Sequence, residues 1–314
     1  MNQWSVARVS STEEWNRLRQ TSALDGLFYD LNFHTYHIKK RFDWHHLIVF
    51  KGSEPVAGMV GAVEDGRYIS QPGASFGGIL YRENTSTGSL IMIVGRLIDH
   101  IKAKGYTEIE IVLPPICYYE PESENTLLAL YQNGFTLEKN SVTSIVHLED
   151  DNLLSTLKSP ARRGAMKAER SGVEIVESDS FATFYPVLVK DREVLGKIPT
   201  HSLEELRKIG LLFPDRLILF LARIDKTVLG GLLLFIINNK VALNFYLAQL
   251  EEGKRYRVAN LLVLRSVMWA KEHNFRYYDF GTSMLDGEIN FGLLRFKDGF
   301  GARSYLRRIL LWQA

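Results

Sequence analysis

The spacing of apolar residues predicts that the chain contains one pattern of strands and helices twice. Residues 46–50 and 54–58 are typical of a strand, a tight turn and a second strand, and residues 217–221 and 226–230 repeat that pattern. A single match of this kind can arise by chance. The pattern further along the chain therefore decides whether the chain is duplicated.

A helical pattern followed by a strand pattern also occurs twice. Apolar residues at helical spacing cover 89–104 and 259–273, and the alternation typical of a strand follows in 105–113 and 274–280. The matched residues are Arg96 with Arg265, Tyr106 with Phe275, and Glu110 with Asp279. Because both patterns recur in the same order, we predict a duplicated β-β-β-α-β unit.

The remaining patterns complete the predicted fold class. The predicted opening helices are 12–20 and 30–40 in the first copy and 180–194 and 202–211 in the second. The predicted closing elements are helices at 125–133 and 292–297 and strands that reach 146–148 and cover 305–312. We therefore predict an α/β (α+β) protein of two domains, 1–152 and 153–314, each a mixed, mostly antiparallel sheet flanked by helices. Residues 153–172 are the predicted helical linker that opens the second domain.

Composition and charge narrow the class of protein. The 314 residues are 46% hydrophobic and 24% charged, which excludes disordered, collagen-like and coiled-coil chains. A net charge of +2 argues against a dedicated nucleic-acid binder and leaves room for local basic sites. The single cysteine, Cys117, excludes internal disulfides and cysteine-ligated zinc or iron–sulfur sites.

The chain carries no pattern of a secretory signal or a membrane span. Its N-terminus lacks a basic start followed by an apolar run. The longest apolar stretch, 228–237, is shorter than the roughly 20 residues that cross a bilayer. We therefore expect a cytoplasmic protein without membrane insertion, and the oligomeric state is left open.

Familiar catalytic signatures are absent from the sequence. It contains no phosphate-binding loop of the Walker type and no His-Glu-x-x-His zinc motif. The histidines His34, His37, His45 and His46 lack a convincing carboxylate partner pattern, and we predict no metal site.

Basic residues precede the main helix of the second copy. Lys254, Arg255 and Arg257 stand just before Val258, Ala259 and Asn260, whose backbone N–H groups belong to the first turn. A helix N-terminus beside cations suits the binding of a phosphate group. The alternative is a solvated basic turn with Asn260 as the helix cap.

Two further segments of the second copy have candidate chemistry. Asp279 lies where a predicted strand ends. There it either lines a ligand site or accepts hydrogen bonds in a turn. Lys297, preceded by Arg295 and Phe296 and followed by Phe300, either stabilises an oxyanion or snorkels over an apolar face.

The predicted linker helix is basic on one side. Arg163 and Lys167 are four residues apart and share a helical face downstream of Ser159. This face suits an anionic ligand, and an exposed amphipathic linker helix is the alternative.

Three motifs together resemble the Fem-like acyltransferases, which are tandem proteins of the GNAT superfamily. Residues 260–283 resemble their helix–strand core, residues 295–301 resemble their Phe-Lys motif, and Ser159, Arg162, Arg163 and Lys167 resemble the helix that opens their second domain. The resemblance covers most of 155–305. It implies two tandem GNAT-like domains and transfer of an acyl or aminoacyl group to an amine, with Lys297 assisting the transfer.

The resemblance and the residues together give an expected function. We expect an N-acyltransferase that moves an acyl group from an activated donor, acyl-CoA, to an amine of a cell-envelope or surface-glycan precursor. One alternative is a Fem-type transferase with aminoacyl-tRNA as donor and a peptidoglycan precursor as acceptor, and another is a ligand-binding duplication without catalysis. GNAT proteins prefer glycines in the turn that binds the donor's pyrophosphate, whereas residues 255–260 contain none.

The candidate site residues fall in three groups. The catalytic candidates are Lys297, Asp279 and Tyr246, with water a further candidate for the general base. The donor-binding candidates are Arg255, Arg257, Val258, Ala259 and Asn260. The substrate-binding candidates are Phe296, Arg295, Ser159, Arg163 and Lys167, and the loop 71–78 of the first copy is expected to shape the acceptor cleft.

Overall fold

A computed structural model describes residues 4–37, 41–149 and 156–314. The chain divides into two compact units, one of Met1–Ser141 with Leu306–Ala314 and one of Val142–Tyr305. The positions 38–40 and 153–155 of two predicted helices lie outside the described residues.

The first unit contains three α-helices among its described residues and most of the short strands. Its helices are α1 (Thr12–Gln20), α2 (Thr87–Ala103) and α3 (Asn125–Gln132). Its strands are β1 (Trp4–Arg8), β2 (Asp43–Trp44), β3 (Leu47–Lys51), β4 (Glu54–Met59), β5 (Gly61–Glu64), β6 (Arg67–Ser70), β7 (Ile79–Tyr81) and β8 (Glu108–Val112). Strand β9 (Thr136–His147) begins in this unit and ends in the second.

The second unit contains the longer strands. Its strands are β10 (Glu174–Ser178), β11 (Leu217–Ile224), β12 (Thr227–Ile236), β13 (Val241–Gln249), β14 (Tyr277–Thr282), β15 (Met284–Leu285) and β16 (Glu288–Ile289). Its helices are α4 (Ser159–Arg170), α5 (Phe181–Val194), α6 (Leu203–Leu212), α7 (Glu251–Tyr256), α8 (Val258–Glu272) and α9 (Phe291–Asp298). The last strand, β17 (Arg303–Gln313), starts here and continues into the first unit.

Both units have mixed, mostly antiparallel sheets, as predicted. In the first, β1-β3-β4-β7 form one sheet and β17-β8-β6-β5-β2 follow one another in a second, where β6 and β8 are parallel. In the second, the order is β10-β11-β12-β13-β14-β9, where β13 and β14 are parallel. Every other described pairing in these sheets with a printed register is antiparallel.

The register of the parallel strands matches the sequence repeat. The parallel ladder of the first unit ends at the pair Ile69 and Glu110, and that of the second ends at Leu243 and Asp279. The sequence comparison had matched Glu110 with Asp279. The duplication therefore extends to the residue at which the parallel strands stop pairing.

Small residues allow the helices of the second unit to pack closely. Helix α4 buries Ala161, Gly164, Ala165 and Ala168, while its basic residues face outward. A Cβ atom built on Gly164 would lie 2.6 Å from the side chain of Asn260 on α8. The helix packs against the unit through its small residues and exposes its basic face, so it is amphipathic, as in the alternative given for this segment.

The predicted helix at 30–40 is wrong in its described part. Leu31–Thr35 is a short 3-10 turn, capped by the Asp30 carboxylate, which accepts a hydrogen bond from the Asn32 N–H. Residues three apart lie directly above one another in a 3-10 turn, and this brings the rings of Phe33 and Tyr36 to 5.1 Å. Aromatic packing outweighs the helical pattern there.

The C-terminal strand ends the first unit rather than the second. Residues Ile309 to Gln313 of β17 pair antiparallel with Val112 to Glu108 of β8. Because the backbone of this segment finds its partners on β8, Leu306–Ala314 belongs to the first compact unit. The compact units thus differ from the predicted 1–152 and 153–314, which remain a prediction about the extent of the sequence repeat.

The histidines of the first unit lie in an aromatic cluster. The ring of His34 lies 4.2 Å from Trp44 and 5.2 Å from His46, and Trp44 stacks on His46. Within 4–37, 41–149 and 156–314, no group of three or more His, Cys, Asp or Glu could hold a metal ion. These imidazoles pack against aromatic rings, with His34 buried and His46 half-buried.

Acid is expected to destabilise the protein through His46. Burial, with Arg8 and His45 nearby, lowers the pKa of His46 to about 4. Unfolded histidine binds its proton below about 6.5, so the unfolded chain binds more protons between pH 6.5 and 4, and stability falls as pH falls through that window. The loss for this one group is on the order of 3 kcal/mol at most.

The effect is measured by equilibrium unfolding in urea at pH 7 and pH 4.5. We expect His46→Phe, which retains the ring packing, to reduce the difference between the two pH values, while His273→Phe at the exposed end of α8 leaves it unchanged. An identical pH dependence in the unmodified chain and His46→Phe would contradict this assignment.

Candidate active site

Strands β13 and β14 diverge in the middle of the second unit. They pair only between Val241–Leu243 and Tyr277–Asp279. The register of β13 against β12 shifts between Leu233 and Leu234, which leaves Phe245 as the bulged residue. Beyond Leu243 and Asp279 the two backbones therefore no longer bond each other, and a gap opens between them.

The equivalent position of the first unit is bridged by its own chain. After the β6–β8 ladder ends, the Gly77 N–H donates to the Val112 carbonyl at 2.7 Å, and the Gly78 N–H donates to Ser70 Oγ at 2.9 Å. The open gap of the second unit thus has a closed counterpart in the first.

Asp279 organises the end of β14. Its carboxylate accepts hydrogen bonds from the Gly281 N–H at 2.7 Å and from the Thr143 hydroxyl. Gly281 has a left-handed φ of 71°, which the turn requires. Asp279 is therefore the turn acceptor that the sequence offered as one alternative, and its catalytic role stays a prediction.

Lys297 is buried at the edge of the gap. Only 3% of its surface is exposed, and Nζ donates to the carbonyl oxygens of Gly281 at 2.8 Å and Thr282 at 2.6 Å. A Cβ built on Gly281 would lie 3.5 Å from the carbonyl oxygen of Asn244 on β13. Lys297 therefore does not snorkel: it fixes a cation next to the point where β13 and β14 separate.

A cationic pocket of about 550 Å³ lies on the α4, α8 and α9 side of the second unit. Five of its lining residues are cationic and none is acidic: Lys158, Arg163, Lys167, Arg257 and Arg295. The other lining residues are Pro160, Ala161, Gly164, Asn260, Gly292, Phe296 and Gly299. No described ion pair neutralises the five cations. The pocket is consequently suited to an anion.

Two helix N-termini contribute to this pocket. Helix α4 begins after Lys158, and α8 begins after Arg257, which has a left-handed φ of 62°. Neither cap residue accepts a hydrogen bond with its side chain, and both helix ends carry partial positive charge. Asn260 lies in the first turn of α8 and is not its cap.

The turn before α8 satisfies part of its own backbone. Helix α7 occupies the preceding residues, the Ala259 N–H donates to Gln249 Oε1 at 3.3 Å, and the Asn260 N–H donates to the Arg257 carbonyl at 3.0 Å. These N–H groups have acceptors within the chain. Side-chain cations rather than a row of free N–H groups therefore dominate this side of the pocket.

The structure brings together residues that the sequence had assigned to two separate ligands. Arg257 and Asn260, predicted for the donor, line the same pocket as Arg163, Lys167, Arg295 and Phe296, predicted for the substrate. The predicted residues outside its lining are Arg255, Val258, Ala259, Ser159, Lys297, Asp279 and Tyr246. Val258 and Ala259 are buried, whereas Arg255 and Ser159 are exposed.

Tyr246 is held by a histidine that sequence reasoning missed. Its hydroxyl accepts a hydrogen bond from the His201 N–H at 3.2 Å and lies 2.9 Å from His201 Nδ1. Burial raises the pKa of Tyr246, so the hydroxyl keeps its proton at neutral pH. No local pattern marks His201, because the contact joins a loop to a strand far along the chain. Lys158 was also missed; its position just before Ser159-Pro160 at a helix start was the available signal.

Most of the second unit matches a known family model. Residues 158–297 match the family model described as an acetyltransferase (GNAT) domain. The second unit is therefore similar to a GNAT domain. This match includes all five cations of the pocket and ends at Lys297. A search of curated protein sequences finds no match to the chain.

Solved structures extend the GNAT likeness to the whole chain. The crystal structure of FemX has a TM-score of 0.74 at 14% identity, covering 99% of this chain and 97% of that one. The C-terminal domain of a lysylphosphatidylglycerol synthetase from Agrobacterium fabrum has a TM-score of 0.64 at 13% identity, covering 96% and 92%. A tandem GNAT protein of the clavulanic acid pathway has a TM-score of 0.57 at 12% identity, covering 99% and 98%. The predicted Fem-like, tandem GNAT fold is confirmed.

Among the described residues, 4–37, 41–149 and 156–314, no helix is long and apolar enough to cross a membrane.

Proposed function

We propose that the chain is an N-acyltransferase that moves an acyl group from acyl-CoA to an amine of a cell-envelope or surface-glycan precursor. The observation that carries the proposal is the pocket of five cations beside α9, the helix that also supplies Lys297 at the opening between β13 and β14. A site that uses a phosphate-bearing acyl donor needs a place that binds the phosphates and a fixed cation near an open strand edge.

The donor would bind in the cationic pocket and in the gap between β13 and β14 at the same time. Its phosphates would pair with Arg163, Lys167 and Arg257, because charge-assisted hydrogen bonds to phosphate are strong. Its extended amide-containing arm would enter the gap between β13 and β14 and bond their free backbone edges as an added strand does.

Transfer would then proceed by direct attack. The amine nitrogen forms a bond to the thioester carbon, the resulting oxyanion is stabilised by the nearby Lys297 charge, and the C–S bond breaks. The amine loses its proton to water, and the thiolate takes up a proton. Because Tyr246 stays protonated at neutral pH, its hydroxyl suits the donation of that proton and does not suit the role of general base.

A specific observation also favours aminoacyl-tRNA as donor. Helix α7 directly precedes α8, residues 255–260 contain no glycine, and the N–H groups of Ala259 and Asn260 bond internally, as they would not in a pyrophosphate cradle. Exposed side-chain cations suit successive phosphodiesters equally well. In this second candidate function the bond that breaks is the C–O bond of the aminoacyl ester, and the acceptor is a peptidoglycan precursor.

Thermal melting with donor fragments separates these functions. A ligand that binds the folded chain raises its melting temperature by mass action. We expect coenzyme A and adenosine 3′,5′-bisphosphate to raise it, and transfer from labelled acetyl-CoA to glucosamine to follow. A rise with a tRNA acceptor minihelix alone would support the second function. No rise with any of these probes would contradict both and favour a binding protein of a different ligand class.

A further inference from the structure

An eight-residue loop of the first unit is held in an unusual conformation. Gln71, its first residue, has a left-handed φ of 57°. Pro72 and Gly73 then form a tight turn in which the Ala74 N–H donates to the Gln71 carbonyl at 3.3 Å. Backbone strain at a residue that is not glycine persists where the surroundings impose it, and such residues concentrate at binding sites.

The side chain of Gln71 is buried without partners. Its exposed fraction is 2%, and neither Oε1 nor Nε2 has a hydrogen bond among the described residues. A buried primary amide normally has partners, because leaving its polar atoms dry and unbonded costs about 1–3 kcal/mol. Strain and an unsatisfied amide at one residue indicate that stability is not the reason for this glutamine.

A buried arginine contacts the same loop. Arg307 is 7% exposed, and its Nη1 donates to the Ser75 carbonyl at 3.2 Å. Its Nε has no partner, and no carboxylate among the described residues pairs with the guanidinium. The neighbouring Arg308 provides the contrast, because its guanidinium pairs with Glu124 at 3.1 Å. A buried cation without a counter-ion is costly and is compensated when an anion binds.

We propose that the loop 71–78 and Arg307 form a binding site in the first unit for a carboxylate-bearing ligand. Nη1 is engaged by Ser75, so the edge of the guanidinium formed by Nε and Nη2 faces the ligand. This edge binds a carboxylate through two parallel hydrogen bonds. One guanidinium balances a single negative charge, which favours a carboxylate over a doubly charged phosphate. The amide of Gln71 supplies a donor and an acceptor for a polar group of the same ligand.

The site uses none of the residues proposed above for donor binding or transfer. It lies wholly in the first unit and uses none of the cations of the pocket beside α9. A negative result for the carboxylate site therefore does not contradict the proposed acyl transfer, and the reverse also holds.

The test combines apo stability with ligand-induced melting shifts. The probe is N-acetylglycine at millimolar concentration, which carries one carboxylate and one amide; inorganic phosphate is the second arm. We expect N-acetylglycine to raise the melting temperature of the unmodified chain by about 2 °C or more, and phosphate to have a smaller effect. Arg307→Met should abolish the shift, whereas Arg308→Met should retain it.

Apo stability distinguishes a binding arginine from a structural one. Arg307→Met removes an uncompensated buried charge, so its apo melting temperature should equal or exceed that of the unmodified chain. Gln71→Gly should likewise raise apo stability, since it relieves the left-handed strain, and should reduce the shift caused by N-acetylglycine. A lower apo melting temperature for Arg307→Met, no shift in the unmodified chain, or a shift caused by phosphate alone would each overturn the proposal.

Discussion

Replacement of Lys297 by methionine is expected to lower the turnover number of acyl transfer by about 100-fold or more. The side-chain Nζ of Lys297 donates hydrogen bonds to the carbonyl groups of Gly281 and Thr282, at the point where β13 and β14 separate. Methionine has a similar length and no charge, so the oxyanion of the transition state loses its stabilising cation. The Michaelis constant for the donor should change little, because the phosphate-binding cations remain.

The same substitution also removes two hydrogen bonds to part-buried carbonyl groups. This loss is expected to cost about 0.5–1.5 kcal/mol for each hydrogen bond and to lower the melting temperature. Turnover is therefore measured well below that temperature, with circular dichroism confirming the folded state. Lys226→Met, the same change in the exposed β11–β12 turn, serves as the control. Unchanged turnover of folded Lys297→Met would leave this lysine a structural role only.

Removal of three cations from the pocket is expected to weaken donor binding by about 1000-fold or more. The triple variant Arg163→Gln, Lys167→Gln and Arg257→Gln loses three hydrogen bonds to charged phosphate groups, each contributing about 1.5–3 kcal/mol. Apo stability should stay equal or increase, because like charges in one pocket repel each other. Titration calorimetry with coenzyme A, and with a tRNA minihelix for the second candidate function, measures the change.

A charge-matched variant controls for the general effect of losing positive charge. Arg223, Arg265 and Arg276 belong to the same unit, and each is paired on the surface with a glutamate: Glu174, Glu169 and Glu149 respectively. Changing all three to glutamine removes the same charge from outside the pocket and should leave donor affinity within a few-fold, since exposed pairs contribute little. Equal weakening by both triple variants would show that the pocket is not the donor site.

Much of the fold followed from local patterns in the sequence. The strand and helix patterns of the two copies predicted most elements, and the match of Glu110 with Asp279 anticipated the ends of both parallel ladders. The pattern failed at 30–37, where packing between Phe33 and Tyr36 selects a 3-10 turn. The spacing of apolar residues predicts which face of an element is buried. It does not predict aromatic rings that pack across several elements.

The candidate site was predicted less completely. Arg163, Lys167, Arg257 and Arg295 were recognised individually as cations, and their convergence on one pocket was not. Sequence reasoning divided them between two ligands because they lie on three separate helices. The loop 71–78 was noted for its glycines, whereas the buried Gln71 amide depends on packing that no spacing rule expresses.

The sequence by itself determined the duplication, the mixed sheets and the types of residue available for chemistry. These follow from periodic burial and from side-chain identity, which are properties of short segments. Only the tertiary structure decided that Lys297 is buried against β14, that Tyr246 meets His201, and that Arg307 has no acid beside it. Each of these is a contact, or the lack of one, between residues far apart in the chain, and it is fixed by how the elements pack.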